Sequence, residues 1–140
     1  MPSPDTARTL LACIRLINGG LALLAPGFLA RRLGVDPDRQ PAILYVFRMF
    51  GIRTVLIGAD LLLQTGEQRA DNVRRAVLIH ASDTLAAGLA ARTGRLPGAA
   101  GLTITLISAV NTLLALYARS GLSQAQTQTQ QTQTRSGHTA

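Results

Sequence analysis

The alternation of apolar and polar segments divides this chain into four long apolar stretches separated by polar breaks. The last stretch is the clearest. Between Arg95 and Arg119 the chain runs twenty-three residues, LPGAAGLTITLISAVNTLLALYA, with no charged side chain. A helix rises about 1.5 Å per residue and a bilayer core is about 30 Å thick, so this stretch is long enough to cross a membrane. The pattern predicts a transmembrane helix here.

Three interrupted apolar stretches precede that one, and the four together predict helices over residues 9–30, 41–63, 76–91 and 98–118. A loop with two prolines and two aspartates (residues 34–41) ends the first, a polar connector (residues 64–75) ends the second, and Thr93 to Gly98 ends the third. Short connectors favour antiparallel neighbours. The predicted fold is all-α: a four-helix transmembrane bundle of up-down topology over residues 1–119.

The composition changes at residue 120 to Gln, Thr and Ser. Such a segment has too few apolar side chains to form a core. Residues 120–140 are therefore predicted to be a disordered tail.

Small residues recur on two of the predicted helices. Gly51 and Gly58 are seven apart on the second, and the fourth carries Gly101, Thr105, Ser108 and Thr112 on one face. Stripes of this kind allow membrane helices to approach closely and to hydrogen-bond.

The charge of the chain fits a membrane better than a nucleic-acid partner. All 14 basic residues are arginine and the net charge is +7, but the arginines lie mostly at the edges of apolar stretches and aromatic residues make up only 4%. We expect no nucleic-acid partner. Flanking arginines divide five against five between the two predicted sides, so they do not set the orientation. An even number of spans favours both termini in the cytoplasm. The single Cys13 excludes an intrachain disulfide.

Six ionisable residues fall within the predicted spans: Arg15, Arg48, Arg53, Asp60, His80 and Asp83. Each charged group at mid-membrane costs about 2.5–3.5 kcal/mol, so such groups face the bundle interior, pair, or extend to the interface. His80 and Asp83 are three apart and share a helix face, which favours a hydrogen-bonded pair. Arg53 and Asp60 share a face but lie about 10 Å apart along the axis.

Counting depth along each predicted helix, most of these groups converge in the half of the bundle that faces the 64–75 connector, with Arg48 nearer the opposite side. A polar pocket opening on that side is the predicted site. Its candidate ligand-binding residues are Arg15, Asn18, Arg48, Ser108 and Asn111, and its candidate catalytic residues are Asp60, Asp83, His80 and Arg53. A structural ion network and extension of Arg15 and Asp60 to the interface remain alternatives. The spacing predicts no metal site and no cofactor.

The segments FRMFGIRTVLIGAD (Phe47 to Asp60) and HASDTLAAGLAA (His80 to Ala91) resemble a family of small bacterial four-helix membrane proteins of unknown function, loosely DoxX-like. The most recognisable element is Arg48, Gly51, Arg53 and Gly58 on the second helix. The resemblance covers about residues 9–119 and implies a four-helix membrane bundle without an established activity.

Three functions are compatible with these features. The first is a non-enzymatic multi-pass protein of a bacterial plasma membrane with an accessory or interaction role and a polar intramembrane pocket. The second is a membrane-embedded acid–base enzyme (an isomerase, a cyclase or an epoxide-opening enzyme) acting on a lipophilic small molecule, with His80 and Asp60 or Asp83 as acid and base. The third is a proton-coupled transporter, for which no internal repeat is found. The bilayer is the expected partner in each case, and a homo-oligomer is compatible with all three.

Overall fold

The computed structural model describes residues 3–136, with side chains described as far as Ser123. The described part is all-helical, without strands. Its five helices are α1 (Pro4–Leu24), α2 (Pro26–Arg32), α3 (Ala42–Leu63), α4 (Gly66–Arg92) and α5 (Gly98–Ser136).

The first predicted helix, residues 9–30, is two helices in the structure. Ser3 caps α1, its hydroxyl accepting a hydrogen bond from the Thr6 amide at 3.1 Å, so the helix begins five residues earlier than expected. It ends at Leu24, because Pro26 has no N–H to donate and disfavours helical geometry at the preceding Ala25 (φ −129°, ψ 49°). Pro26 then starts the short α2. The described part therefore has five helices, four of them long, where the sequence predicted four.

The polar connector predicted over residues 64–75 is mostly helix. Only Gln64 and Thr65 separate α3 from α4, and Gly66 takes a positive φ of 58° at the junction. The following residues are charged or polar, yet Val73 and Ala76 are fully buried. Apolar positions three apart on one face are sufficient to pack a helix that is otherwise polar. As a result α4 begins ten residues before its predicted start at residue 76.

Helices α1 and α3 pack antiparallel through glycine. A Cβ added at Gly51 would lie 2.6 Å from the Leu23 amide nitrogen and 2.8 Å from the Gly19 carbonyl oxygen. At Gly58 an added Cβ would meet the Ala12 carbonyl oxygen at 3.2 Å. These distances leave no room for a side chain, so the prediction that Gly51 and Gly58 allow close helix approach is confirmed.

Helices α4 and α5 form a second antiparallel pair. A Cβ added at Gly101 would lie 2.8 Å from the Ala91 Cβ, and the hydroxyls of Thr84 and Thr112 are 3.1 Å apart. The predicted small and hydroxyl face of the last helix thus packs on α4. Helix α1 also contacts α5, which joins the two pairs, whereas α3 and α4 contact each other much less.

The apolar core occupies the end of the molecule near the α3–α4 junction. Its buried members come from α1, α3, α4 and α5: Leu11, Ala12, Leu61, Val73, Ala76, Ala115 and Ala118. The Arg8 guanidinium donates to the Leu61 carbonyl oxygen at this same end.

Small side chains lie inside and large apolar ones outside. Eight of the eleven buried apolar residues in the described part are alanine, whereas Leu24, Leu63, Leu78 and Leu85 are each at least 71% exposed. This distribution is typical of helices packed within lipid. Three helical segments are long and apolar enough to cross a membrane: Pro4–Leu24, Ala42–Leu63 and Gly98–Ser123. Helix α4, which carries more charge, does not reach that composition.

Helix α5 continues past its predicted end at residue 118. The segment expected to be disordered from residue 120 is helical as far as Ser136, and residues 137–140 lie outside the described residues. Gln and Ala are good helix formers, and no Gly or Pro interrupts the chain between Leu122 and Ser136. Leu122 also packs against the core, so part of the predicted tail belongs to the bundle.

Candidate functional site

A cavity of about 630 Å³ lies between the helices and is lined by residues of all five. Its lining comes from α2, from the first halves of α3 and α5, and from the middle of α1 and α4. One wall is apolar and includes Leu29, Val46, Phe47, Phe50, Ile104 and Ile107. The volume falls within the range of about 300–1,000 Å³ typical of small-molecule sites.

Polar side chains gather at one end of this cavity. Arg15 and Asn18 come from α1, Thr54 from α3, His80 and Asp83 from α4, and Ser108 and Asn111 from α5. Arg15, Thr54, His80 and Asn111 are at most 6% exposed. The chain therefore builds a largely apolar chamber with a polar floor.

Arg15 and His80 form the centre of that floor. Nη1 of Arg15 lies 2.6 Å from Nε2 and 3.2 Å from Nδ1 of His80. A guanidinium only donates, so the imidazole must be neutral and accept through one nitrogen; the shorter distance points to Nε2. Among the described residues no carboxylate lies within 4.0 Å of Arg15.

Most of the polar floor has no hydrogen-bond partner within the described chain. Nε of Arg15 and Oδ1 of Asn111 are buried without one. The side chains of Asn18, Thr54 and Ser108 likewise make none of the hydrogen bonds found in this part of the protein. Buried polar groups in folded proteins are nearly always paired, so these unpaired groups are available to hydrogen-bond with a bound molecule.

The predicted hydrogen bond between His80 and Asp83 is wrong. The two residues share a helix face, as their spacing required, but His80 bonds to Arg15 of α1 instead. Spacing along one helix cannot reveal a donor that another helix supplies. Asp83 lines the cavity, and within the described chain it has no hydrogen bond and no ion pair.

Three of the predicted site residues do not line the cavity. Arg48, Arg53 and Asp60 of α3 are all exposed. Arg15 and Asp83 are near enough for their opposite charges to interact, and the charge of Arg53 acts on both, so Arg53 is near the polar floor without being part of the lining. The other six candidates, Arg15, Asn18, His80, Asp83, Ser108 and Asn111, are brought together.

The predicted position of the pocket is wrong. It was expected in the half that faces the 64–75 connector, but the apolar core fills that half and the cavity lies in the other. The prediction failed because it placed the start of α4 ten residues too late. Because α4 begins at Gly66, His80 is fourteen residues into its helix (66 to 80), about 21 Å from the start, rather than five residues past a connector.

Several lining residues were not predicted. Thr54 has a signal in the sequence, since it shares the helix face of Gly51 and Gly58 at three- and four-residue spacing. Leu29, Arg32 and Leu33 have none, because their place in the wall depends on the break at Pro26.

The described residues contain no group of three or more His, Cys, Asp or Glu side chains that could hold a metal ion. Comparison with known proteins adds no relative: no protein-family model matches the chain, and no curated protein or solved structure matches it significantly.

Proposed function

We propose that this chain is an integral membrane protein that holds a lipophilic small molecule in its intramembrane cavity, in an accessory or interaction role in a bacterial plasma membrane. The proposed arrangement is an up-down bundle of the four long helices, α1, α3, α4 and α5. The antiparallel pairing of α1 with α3 and of α4 with α5 supports it. The resemblance to small DoxX-like membrane proteins is compatible with it.

The outer face of α4 supports placing that helix in the membrane with the other three. Leu78, Leu85 and Leu89 are each at least 65% exposed, and leucines in such positions are stable against lipid. Most of the charged residues of α4 precede these leucines, ending at Arg74 and Arg75, and Asp83, which lies among the leucines, lines the cavity. We place the charged first part of α4 outside the hydrocarbon region, where the exposed ion pair of Arg74 with Asp71 (3.3 Å) stays hydrated.

The proposed ligand follows from the contrast between apolar and polar side chains in the lining of the cavity. Apart from Arg32 and Thr103 its walls are apolar, whereas its floor holds the almost fully buried Arg15 and Asn111 with polar atoms left unpaired. An apolar chamber with a few convergent polar groups is the usual form of a small-molecule site. A molecule with an apolar body and a polar end would satisfy both parts.

The test is to purify the protein in a mild detergent and identify by mass spectrometry what the organic extract contains. Ile104→Trp fills the cavity, and Leu106→Trp places the same ring on the exposed surface of the same helix. We expect one lipophilic molecule in near-stoichiometric amount with the parent and with Leu106→Trp, and its loss from Ile104→Trp. Equal recovery from both variants, or no molecule from the parent, would refute the proposal.

The acid–base enzyme is the second candidate, and the shared position of His80 and Asp83 in the polar floor of the cavity favours it. Asp83 would act as acid or base and Arg15 would stabilise developing negative charge. Asp60 is exposed and outside the lining, which removes it from this scheme.

Incubating the recovered lipophile with the parent and with Asp83→Asn separates the two functions. A binding protein returns the molecule unchanged from both. Conversion by the parent that is lost in Asp83→Asn, with the molecule still bound, would replace the binding function with the enzymatic one.

A further inference from the structure

The proposed ligand has a definable polar end. We propose that it is an acidic lipophile, a single apolar chain or ring system ending in one carboxylate, and that Arg15 binds this carboxylate at the floor of the cavity. The inference rests on the proposed function and goes one step further by naming the class of ligand.

Arg15 is a buried charge without a carboxylate partner in the described chain. Arg15 is 5% exposed and has no carboxylate within 4.0 Å in the described chain. Arg15 is the buried charged residue of the lining, whereas Arg32 is exposed and Asp83 is half-buried. The charge of Asp83 acts on Arg15, but the two form no ion pair within 4.0 Å, and the hydrogen-bond partner of Arg15 is the neutral His80. A buried charge without a direct ionic partner is costly, and a ligand with one negative charge would supply that partner.

One edge of the Arg15 guanidinium is free to bind a ligand. Nη1 is taken by His80, which leaves the edge formed by Nε and Nη2. Neither atom donates to any group of the described chain, and Nε is buried without a partner. Two parallel N–H groups match the two oxygens of a carboxylate. Because Nε is shielded from the solvent, the surrounding side chains must separate slightly for a carboxylate to reach it.

Two hydroxyl groups of the polar floor offer further hydrogen-bond donors. The hydroxyls of Thr54 and Ser108 line the same floor, and neither side chain has a hydrogen bond within the described residues. Each hydroxyl can donate to a carboxylate oxygen. The apolar wall above them, with Phe47, Phe50 and Ile107, suits a hydrocarbon body.

The charge also argues against a phosphate. A phosphate monoester carries about −1.5 to −2 charges at neutral pH, which exceeds the single positive charge of Arg15, the buried arginine of the lining. A phosphate head is therefore an outcome for the test and not part of the proposal.

The experiment uses the full chain in lipid nanodiscs, with native mass spectrometry as the readout. Myristate, myristyl alcohol and myristyl phosphate are added separately at a pH that ionises the acid. These probes share the same chain and differ only in the head. We expect myristate to bind the parent at least about tenfold more tightly than the alcohol, which is the size of a charge-assisted hydrogen bond.

Two variants connect the preference to Arg15. Arg15→Met should abolish the preference for the acid, and Arg75→Gln, which removes an exposed arginine outside the cavity lining, should keep it. If Arg15→Met does not fold, Arg15→Lys replaces it. A lysine keeps the charge but lacks the two parallel donors, so the preference should then fall but not vanish.

The possible outcomes distinguish a failure of the carboxylate proposal from a failure of the proposed lipophile binding. Equal binding of acid and alcohol, or tighter binding of the phosphate, would overturn the carboxylate and leave lipophile binding standing. A preference that survives Arg15→Met would also overturn it. If none of the probes binds although a native lipophile co-purifies, the carboxylate is overturned alone. If nothing binds or co-purifies, both proposals fail.

Discussion

Arg15 shows how a buried charge can be accommodated by a neutral partner. Its hydrogen bonds within the described chain go to His80, which is 2% exposed and lies on a helix sixty-five residues further along. The remaining polar residues around it are not used by the fold. Pairing with His80 therefore supports the fold, whereas the free edge of the guanidinium and Asp83 are available to a ligand.

This difference gives a prediction at the residue scale. His80→Phe keeps a ring of similar shape but removes the acceptor of Arg15, and we expect a loss of about 1–3 kcal/mol in the free energy of unfolding. Asp83→Asn removes no hydrogen bond or close ion pair within the described chain, so its loss should be clearly smaller. The check is unfolding of both variants in one detergent. Equal losses would mean that Asp83 is also part of the structural support of Arg15.

At the element scale, the two antiparallel pairs differ in how they pack. Helices α1 and α3 meet backbone to backbone at Gly19 and Gly51, and α4 and α5 meet through Ala91, Gly101 and a pair of threonine hydroxyls. The weaker contact of α3 with α4 leaves space that the cavity uses. The tight α1–α3 pair holds Arg15 and Thr54 in a fixed relation across the floor.

The α1–α3 contact can be tested with two glycines. In Gly51→Ala the new Cβ meets backbone atoms of Leu23 and Gly19 that cannot rotate away, so we expect a loss of about 1–3 kcal/mol in stability. Gly20 is the matched control, because a Cβ there has no neighbour within 4 Å. Gly20→Ala should be neutral or stabilise by up to about 1 kcal/mol through helix propensity. The measurement is unfolding in detergent, and a neutral Gly51→Ala would contradict the tight interface.

At the scale of the whole molecule, the large apolar side chains lie on the surface and the interior is built from small ones. The buried residues are mostly alanine, and leucines cover the outside. In water such a molecule would gain little free energy from apolar burial, because the side chains with the greatest apolar area stay exposed. In a bilayer the same side chains contact lipid and are removed from water.

The corresponding prediction is that the protein stays in the membrane fraction after a carbonate wash and needs detergent for extraction. The reason is the apolar outer surface together with three helical segments able to cross a bilayer. Fractionation followed by size-exclusion chromatography is the measurement. Recovery as a monodisperse soluble monomer without detergent would contradict the membrane arrangement.

The interpretation of the chain as all-helical and apolar enough for membrane spans is confirmed, and so are the glycine contacts on α3. Six of the nine candidate site residues share the cavity, because helical periodicity correctly put them on inward faces. Arg48, Arg53 and Asp60 fail because they are exposed, and α3 lines the cavity through other residues, Val46, Phe47, Phe50 and Thr54.

Helix length, apolar character and the face of each side chain are properties of the local sequence, since they follow from backbone geometry and from the spacing of residues. They could be predicted from the chain alone. The depth of each residue could not, because it depends on where helices begin: Val73 and Ala76 pack α4 into the core, and Pro26 divides the first helix. The pairing of Arg15 with His80 and the position of the cavity are decided only by tertiary structure, because they depend on the relative height and rotation of helices distant in sequence.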